Sequence, residues 1–134
     1  MTKYAITYAA TFVTMLALDL LWLGVIAKPI YQAGIGHLMA ERFNVPVIVF
    51  FYVMFAAGLV VFGILPQAGT PGFAKAAAMA ALFGFFCYAT YDMTNLATLK
   101  GWPLGLSLAD MAWGTLVSAV SAGVGKWVWD KVAA

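Results

Sequence analysis

Charged side chains are scarce in this sequence. Only 9% of its 134 residues are Asp, Glu, Lys or Arg, whereas 65% are hydrophobic. Soluble domains are about one quarter charged, so this chain has too few charges to cover a globule in water. Its net charge of +2 is also too small to indicate a nucleic acid partner. The composition therefore predicts an integral membrane protein that does not bind nucleic acid.

Cysteine and histidine are equally rare, with one residue of each. Cys87 lies inside an apolar block, so an internal disulfide is excluded and the redox compartment stays open. A glycine-rich phosphate loop, a His-x-x-x-His pair and a Ser-His-Asp arrangement are all absent from the sequence. The first two motifs would indicate a phosphate-bearing cofactor and a metal ion, and the third a nucleophilic active site. We predict no cofactor.

Long apolar blocks make up most of the chain. A membrane-spanning helix needs about 20 mainly apolar residues, and four blocks reach that length, over residues 4–27, 45–65, 73–96 and 104–128. We predict a single membrane domain over residues 1–134, with the all-α fold of an integral membrane four-helix bundle. Because the number of spans is even, both termini lie on the same side.

The segment between the first two spans, residues 28–44, is too polar to cross a membrane. Its apolar residues recur at near-helical spacing, which indicates a short helix lying in the membrane interface. We predict Tyr31, Trp102 and Trp129 to be interface anchors, and we assign the same role to Lys126 near the end of the last span.

The distribution of Lys and Arg predicts the orientation of the bundle. The termini and the 66–75 turn carry four such residues, whereas the loops at 28–44 and 97–103 carry three. The positive-inside rule then places the termini in the cytoplasm, by a margin of one residue.

Small residues four apart occur in the last two spans, as in the pairs Ala80/Gly84 and Ser121/Gly125. Such pairs let helices approach closely in lipid. We interpret them as packing faces, which also permit a homo-oligomer.

Three aspartates interrupt the apolar spans at matching depths. The predicted topology brings the end of the first span, the end of the third and the start of the fourth to one membrane surface. Asp19, Asp92 and Asp110 would each lie about 12–14 Å from that surface, at about 1.5 Å per helical residue. Three converging carboxylates cannot all stay ionised without cations, so we expect at least one to be protonated at neutral pH.

Helical spacing gives each aspartate aromatic or polar neighbours. Asp92 shares one stripe with Tyr88 and Asn95, because residues four and seven apart lie on one helix face. The pattern Asp-x-x-Trp occurs at 19–22 and again at 110–113. We therefore predict an intramembrane ligand pocket formed by Asp19, Trp22, Tyr88, Tyr91, Asp92, Asn95, Lys100, Asp110 and Trp113, with Lys100 at its mouth.

Three stretches of the sequence carry a family resemblance. The motifs LDLLWLG (18–24), YDMTNLATLKGWP (91–103) and ADMAWG (109–114) resemble those of the bacterial membrane proteins known as domain of unknown function 2177. The resemblance extends over essentially the whole chain and implies a four-span protein of the bacterial cytoplasmic (inner) membrane. It implies no established activity and no functional residues, so the site prediction depends on geometry.

Three functions are compatible with these residues. A pocket with protonatable aspartates suits the binding or transport of a small solute or lipid, and transport by four spans would require a homo-oligomer. An intramembrane enzyme acting on a lipid or isoprenoid would use Asp92, Asp110 or Asp19 as a general acid or base. The third hypothesis is a structural or accessory subunit that the polar cluster holds together. No metal site is predicted, and the one alternative would combine His37 with the three aspartates.

Overall fold

Helices form almost all of the chain, and the connections between them are short. The computed structural model describes residues 1–133. In chain order it contains α1 (Thr2–Leu21) with a π-helical turn (Trp22–Ile26), α2 (Lys28–Ile35) with a 3₁₀ turn (Gly36–Leu38), α3 (Val45–Leu59) with a π-helical turn (Val60–Ile64) and a 3₁₀ turn (Leu65–Gln67), α4 (Ala74–Thr98) and α5 (Leu104–Ala133). No strand occurs in this described range.

Four segments are long and apolar enough to span a membrane, namely Thr2–Ile26, Val45–Gln67, Ala74–Thr98 and Leu104–Ala133. The predicted all-α membrane bundle of four helices is confirmed. The observed bounds lie within about two residues of the predicted ones, except that α5 continues to Ala133.

Helix boundaries coincide with residues that start or stop helices. The Asn44 side chain accepts a hydrogen bond from the Val47 N–H at 3.3 Å, and Pro46 occupies the first turn of α3, where a missing N–H does no harm. Gly101, with a φ of +70°, reverses the chain between α4 and α5 because glycine tolerates this left-handed conformation. Pro103 then precedes the first turn of α5.

Both chain termini lie at the same end of the bundle, as predicted. The rings of Tyr4 and Trp129 meet edge to face with centroids 5.1 Å apart, and Lys3 Nζ lies 4.8 Å from the Trp129 ring centroid. Trp129 is thus buried between the two terminal helices, and its prediction as an interface anchor is wrong. We name this end the terminal end, and the opposite end, with the connections at 27–44 and 99–103, the loop end.

Lys126 fastens the turn between α3 and α4 to the last helix. Its Nζ donates to the carbonyl oxygens of Thr70 at 2.7 Å and Gly72 at 3.2 Å, and it forms an ion pair with Asp130 Oδ1 at 2.6 Å. The other oxygen of Asp130 accepts the Gly72 N–H at 3.0 Å. Because the Lys126 side chain is fully buried, its prediction as an interface anchor is wrong.

Small residues bring α5 close to α4, and Gly125 brings α5 close to Thr11 of α1. A Cβ atom added at Gly114 would collide with the ring of Tyr88, and one added at Gly84 would collide with the side chain of Ser118. The faces predicted from small-residue spacing are therefore used for packing within one chain, as expected where helices associate in lipid.

We predict that Gly114→Ala destabilises the bundle by about 1–3 kcal/mol, the usual cost of overpacking, because the added methyl group displaces the Tyr88 ring. Gly105→Ala, in the same helix, is the control, since nothing lies within 4 Å of a Cβ atom there. Unfolding of both variants in mixed detergent micelles measures the difference. Equal midpoints for the two variants would contradict the close packing of α4 on α5.

Candidate functional site

The three aspartates predicted to converge come together at the loop end. Asp92 lies six residues before the end of α4, and Asp110 lies six residues after the start of α5, so both are about 9 Å along their helices from the loop end. Asp19 is close enough to Asp110 for electrostatic repulsion. All three side chains are buried, with exposures of 4% for Asp19, 0% for Asp92 and 8% for Asp110.

Asp19 is fully hydrogen-bonded by two other helices. Its Oδ2 accepts the Tyr52 hydroxyl of α3 at 2.7 Å, and its Oδ1 accepts the Trp113 Nε1–H of α5 at 2.7 Å. Donors of this kind satisfy a carboxylate that would otherwise be costly in the membrane interior. Asp19 therefore connects three of the four spans.

The two Asp-x-x-Trp motifs face each other across an antiparallel helix pair. The indoles of Trp22 and Trp113 stack in parallel, with centroids 4.6 Å apart and an interplanar angle of 4°. Because α1 runs towards the loop end and α5 runs away from it, the aspartate of the first motif lies beside the tryptophan of the second. Trp113 accordingly donates to Asp19, whereas the Trp22 indole is directed at α2.

Tyr31 of α2 connects Trp22 to Asp110. Its hydroxyl receives the Trp22 Nε1–H at 3.4 Å and donates to Asp110 Oδ1 at 2.5 Å. Burial raises the pKa of the Tyr31 hydroxyl above its ordinary value, and the hydrogen bond to Asp110 raises it further, so Tyr31 remains a neutral donor. The prediction of Tyr31 as an interface anchor is wrong, because its side chain is hydrogen-bonded to Trp22 and Asp110. We name the following residues the polar cluster: Asp19, Trp22, Tyr31, Tyr52, Asp92, Asp110 and Trp113.

The predicted short helix after the first span forms as α2, and it packs against the start of α5. A Cβ atom added at Gly34 would lie 3.0 Å from Pro103 and 3.2 Å from Leu106. This close approach, together with the fully buried Ala27, sets the position from which Tyr31 reaches the bundle interior.

Asp92 differs from the other two aspartates because it has no hydrogen-bond donor. Both of its carboxylate oxygens are buried and unpartnered within the described residues. The carboxyl group of Asp110 lies close enough to interact electrostatically with that of Asp92. Two negative charges placed together in a buried setting are unfavourable, so Asp110 does not supply the partner that Asp92 lacks.

The remaining predicted ligand residues are spread around this cluster. Tyr88 is half-buried and places its ring on Gly114, whereas Asn95 is half-buried and adjoins the exposed Tyr91. Lys100 is exposed and forms no ion pair within residues 1–133.

Trp102 packs edge to face on Tyr91, with ring centroids 5.8 Å apart. It is 9% exposed. Its prediction as an interface anchor is therefore wrong.

The alternative metal site does not form. His37 is exposed, and among the residues that the structure describes, no three His, Cys, Asp or Glu side chains are arranged to hold a metal ion.

Sequence reasoning missed Tyr31 and Tyr52 as members of the cluster. Tyr52 offered a usable signal, because it is the one polar side chain between residues 47 and 65. A phenol in the middle of an apolar span requires a hydrogen-bond partner when it is buried. Tyr31 offered no comparable signal, since a tyrosine near a membrane surface is typical of an interface anchor.

Residues 4–127 match the family described as "Predicted membrane protein (DUF2177)". The chain belongs to the DUF2177 family. No curated protein and no solved structure matches it. The matched range contains every member of the polar cluster, so this DUF2177 protein carries the cluster inside the part that defines its family.

We predict that Asp19→Leu destabilises the DUF2177 protein by about 1–3 kcal/mol for each buried donor that is left unpaired. Leucine has nearly the shape of aspartate but accepts no hydrogen bond, so the Tyr52 hydroxyl and the Trp113 N–H both lose their partner. Unfolding in mixed detergent micelles measures the loss, with Glu41→Gln at an exposed loop position as the control. A midpoint equal to that of the control would show that these hydrogen bonds contribute nothing.

Proposed function

We propose that this DUF2177 protein binds a small cationic solute at the carboxylates of Asp92 and Asp110, between α4 and α5. The observation that carries the proposal is the state of Asp92, whose two oxygens are completely buried and have no donor. A positively charged or hydrogen-bond-donating group is the kind of partner that these oxygens require.

The energetics of the bilayer support a ligand at this position. A carboxylate at the bilayer centre costs about 2.5–3.5 kcal/mol on insertion scales. Asp92 lies about 9 Å from the loop end, so it incurs a part of that cost for as long as its oxygens have no partner. A proton shared between Asp92 and Asp110 lowers this cost when the solute is absent. Binding of a cation then releases that proton, so the site exchanges one for the other.

The structural or accessory alternative fits Asp19 better than Asp92. Asp19 has two donors and Asp110 has one, as expected of side chains that hold helices together. Asp92 accepts no hydrogen bond from any donor within residues 1–133. The enzyme alternative would use the same Asp92 and Asp110 as general acid and base, but no contact within residues 1–133 favours it over binding.

Transport requires access from both membrane faces, whereas Asp92 and Asp110 lie close to the loop end. Four spans are few for alternating access, so transport by this protein would require a homo-oligomer. We therefore propose that a single chain binds the solute. Transport would require several copies of the chain to assemble.

We predict that Asp92→Asn abolishes cation binding and leaves the stability of the protein unchanged or increased. The neutral amide removes the charge, and no donor loses a partner. Calorimetry and thermal unfolding of the purified protein with alkali cations and small primary and quaternary amines provide the measurement, with Glu41→Gln as the variant that retains binding.

The same experiment tests proton exchange. Because a proton competes for the carboxylate pair, affinity for the cation falls as the pH falls, by up to about tenfold per pH unit under linkage of one proton. A wild-type protein that binds none of these cations would overturn the proposal, and so would a wild-type affinity retained by Asp92→Asn.

We further infer that the protein lies in the bacterial cytoplasmic membrane with its termini in the cytoplasm, so that the loop end faces outward. The inference is supported by the family resemblance and by the distribution of Lys and Arg, four at the terminal end against three at the loop end. Thr2 and Glu41 are both exposed, one at each end.

We predict that, in a Cys87→Ser background, Glu41→Cys reacts with a membrane-impermeant maleimide in intact cells. Thr2→Cys is expected to react only after lysis, because it lies on the cytoplasmic side. Neither substitution changes the number of Lys and Arg residues at either end. The reverse labelling pattern would place the termini outside.

A further inference from the structure

An apolar groove opens on the outer surface of the bundle at the terminal end, between the start of α4 and the last turns of α5. Its volume is about 400 Å³, and it is lined only by apolar residues, among them Phe73, Ala77, Ala119, Gly123 and Trp127. Phe73 and Trp127 are more than half exposed. The groove therefore lies on the surface of a membrane-spanning helix pair, where lipid is the surrounding solvent.

A second cavity, of about 340 Å³, adjoins the groove through Phe73. It is formed by the turn before α4 and the first residues of that helix, from Thr70 to Lys75. The surface of this second cavity is itself mainly apolar, and Lys75 is the charged residue that lines it. An apolar groove that ends beside a lysine matches the acyl chain and the anionic headgroup of a phospholipid.

Two lysines give the polar end a positive charge. Lys75 is exposed and has no ion-pair partner within residues 1–133. Lys131 Nζ lies 5.6 Å from the ring centroid of Trp127, which is itself a wall of the groove. The nearby carboxylate of Asp130 is already paired with the buried Lys126, so its charge does not cancel that of the two exposed lysines.

We propose that the groove binds an anionic phospholipid, with one acyl chain between α4 and α5 and the phosphate at the turn beside Lys75 and Lys131. From Trp127 to Ala119 the groove follows α5 for about 12 Å, at 1.5 Å per residue, which is enough to hold a large part of one acyl chain. The site is separate from the aspartate cluster, which lies at the loop end.

Lipid retention in native mass spectrometry tests this site. The purified protein is mixed with phosphatidylglycerol and phosphatidylcholine that carry the same acyl chains. The wild type is expected to retain phosphatidylglycerol preferentially. Ala77→Leu, which fills the groove, should abolish that preference, whereas Ala78→Leu should preserve it, because Ala78 is exposed and is not part of the groove.

A charge substitution provides a second, independent arm. Lys75→Gln should weaken phosphatidylglycerol binding about fivefold, as expected for one lysine near an anionic headgroup. Lys28→Gln, exposed at the loop end, should leave it unchanged. If Ala77→Leu does not fold, the Lys75→Gln and Lys28→Gln variants decide the question. The measurement is then the rise in unfolding temperature that each lipid produces in each variant.

Three results would overturn the proposal. Equal retention of the two lipids by the wild type would show that the groove holds only bulk lipid. An unchanged preference in both Ala77→Leu and Lys75→Gln would place the lipid elsewhere. Competition by inorganic phosphate at equal concentration would show a site for a free anion that makes no use of the groove.

Discussion

The carboxylate of Asp19 connects α1 to α3 and α5, and the arrangement of the loop end depends on it. It accepts hydrogen bonds from Tyr52 and Trp113, which a buried acceptor in hydrocarbon requires. Once Trp113 is held in this way, its indole offers a flat surface on which Trp22 stacks. Trp22 in turn donates to Tyr31. One buried acceptor therefore positions two indoles and the tyrosine that α2 contributes.

Asp92 lies outside this system of paired groups, although it occupies the same end of the bundle. Asp110 has the Tyr31 hydroxyl as a donor, whereas both oxygens of Asp92 are buried and unpartnered. A buried polar group without a partner lowers stability, so an apolar residue at this position would give a more stable bundle. This absence of a donor is the reason for proposing that the Asp92 carboxylate binds a ligand, with Asp110 as the second group of the proposed site.

The fold and the convergence of the aspartates could be predicted from the sequence because both follow from the length of each apolar block and from the position of each aspartate within it. The bilayer sets the number of residues in a span, and the helical rise converts the positions of Asp19, Asp92 and Asp110 into a common depth. The hydrogen-bond partners could not be predicted in this way. Tyr52 is the one polar side chain between residues 47 and 65, which indicates that it needs a partner but not which helix supplies that partner. Tyr31 belongs to a short helix whose direction depends on its packing against Pro103 and Leu106.

The wrong predictions for Lys126, Trp102 and Trp129 have one physical cause. Position near the end of a span predicts depth, but it does not predict whether a side chain points to lipid or into the bundle. Lys126 points inward and finds three acceptors, two of them backbone carbonyl groups. The buried ammonium group of Lys126, which holds the turn before α4 in place, therefore has an acceptor for each of its three N–H groups. Asp92, in contrast, is a buried acidic side chain near the loop end that has no donor within residues 1–133, which is why the proposed ligand is placed there.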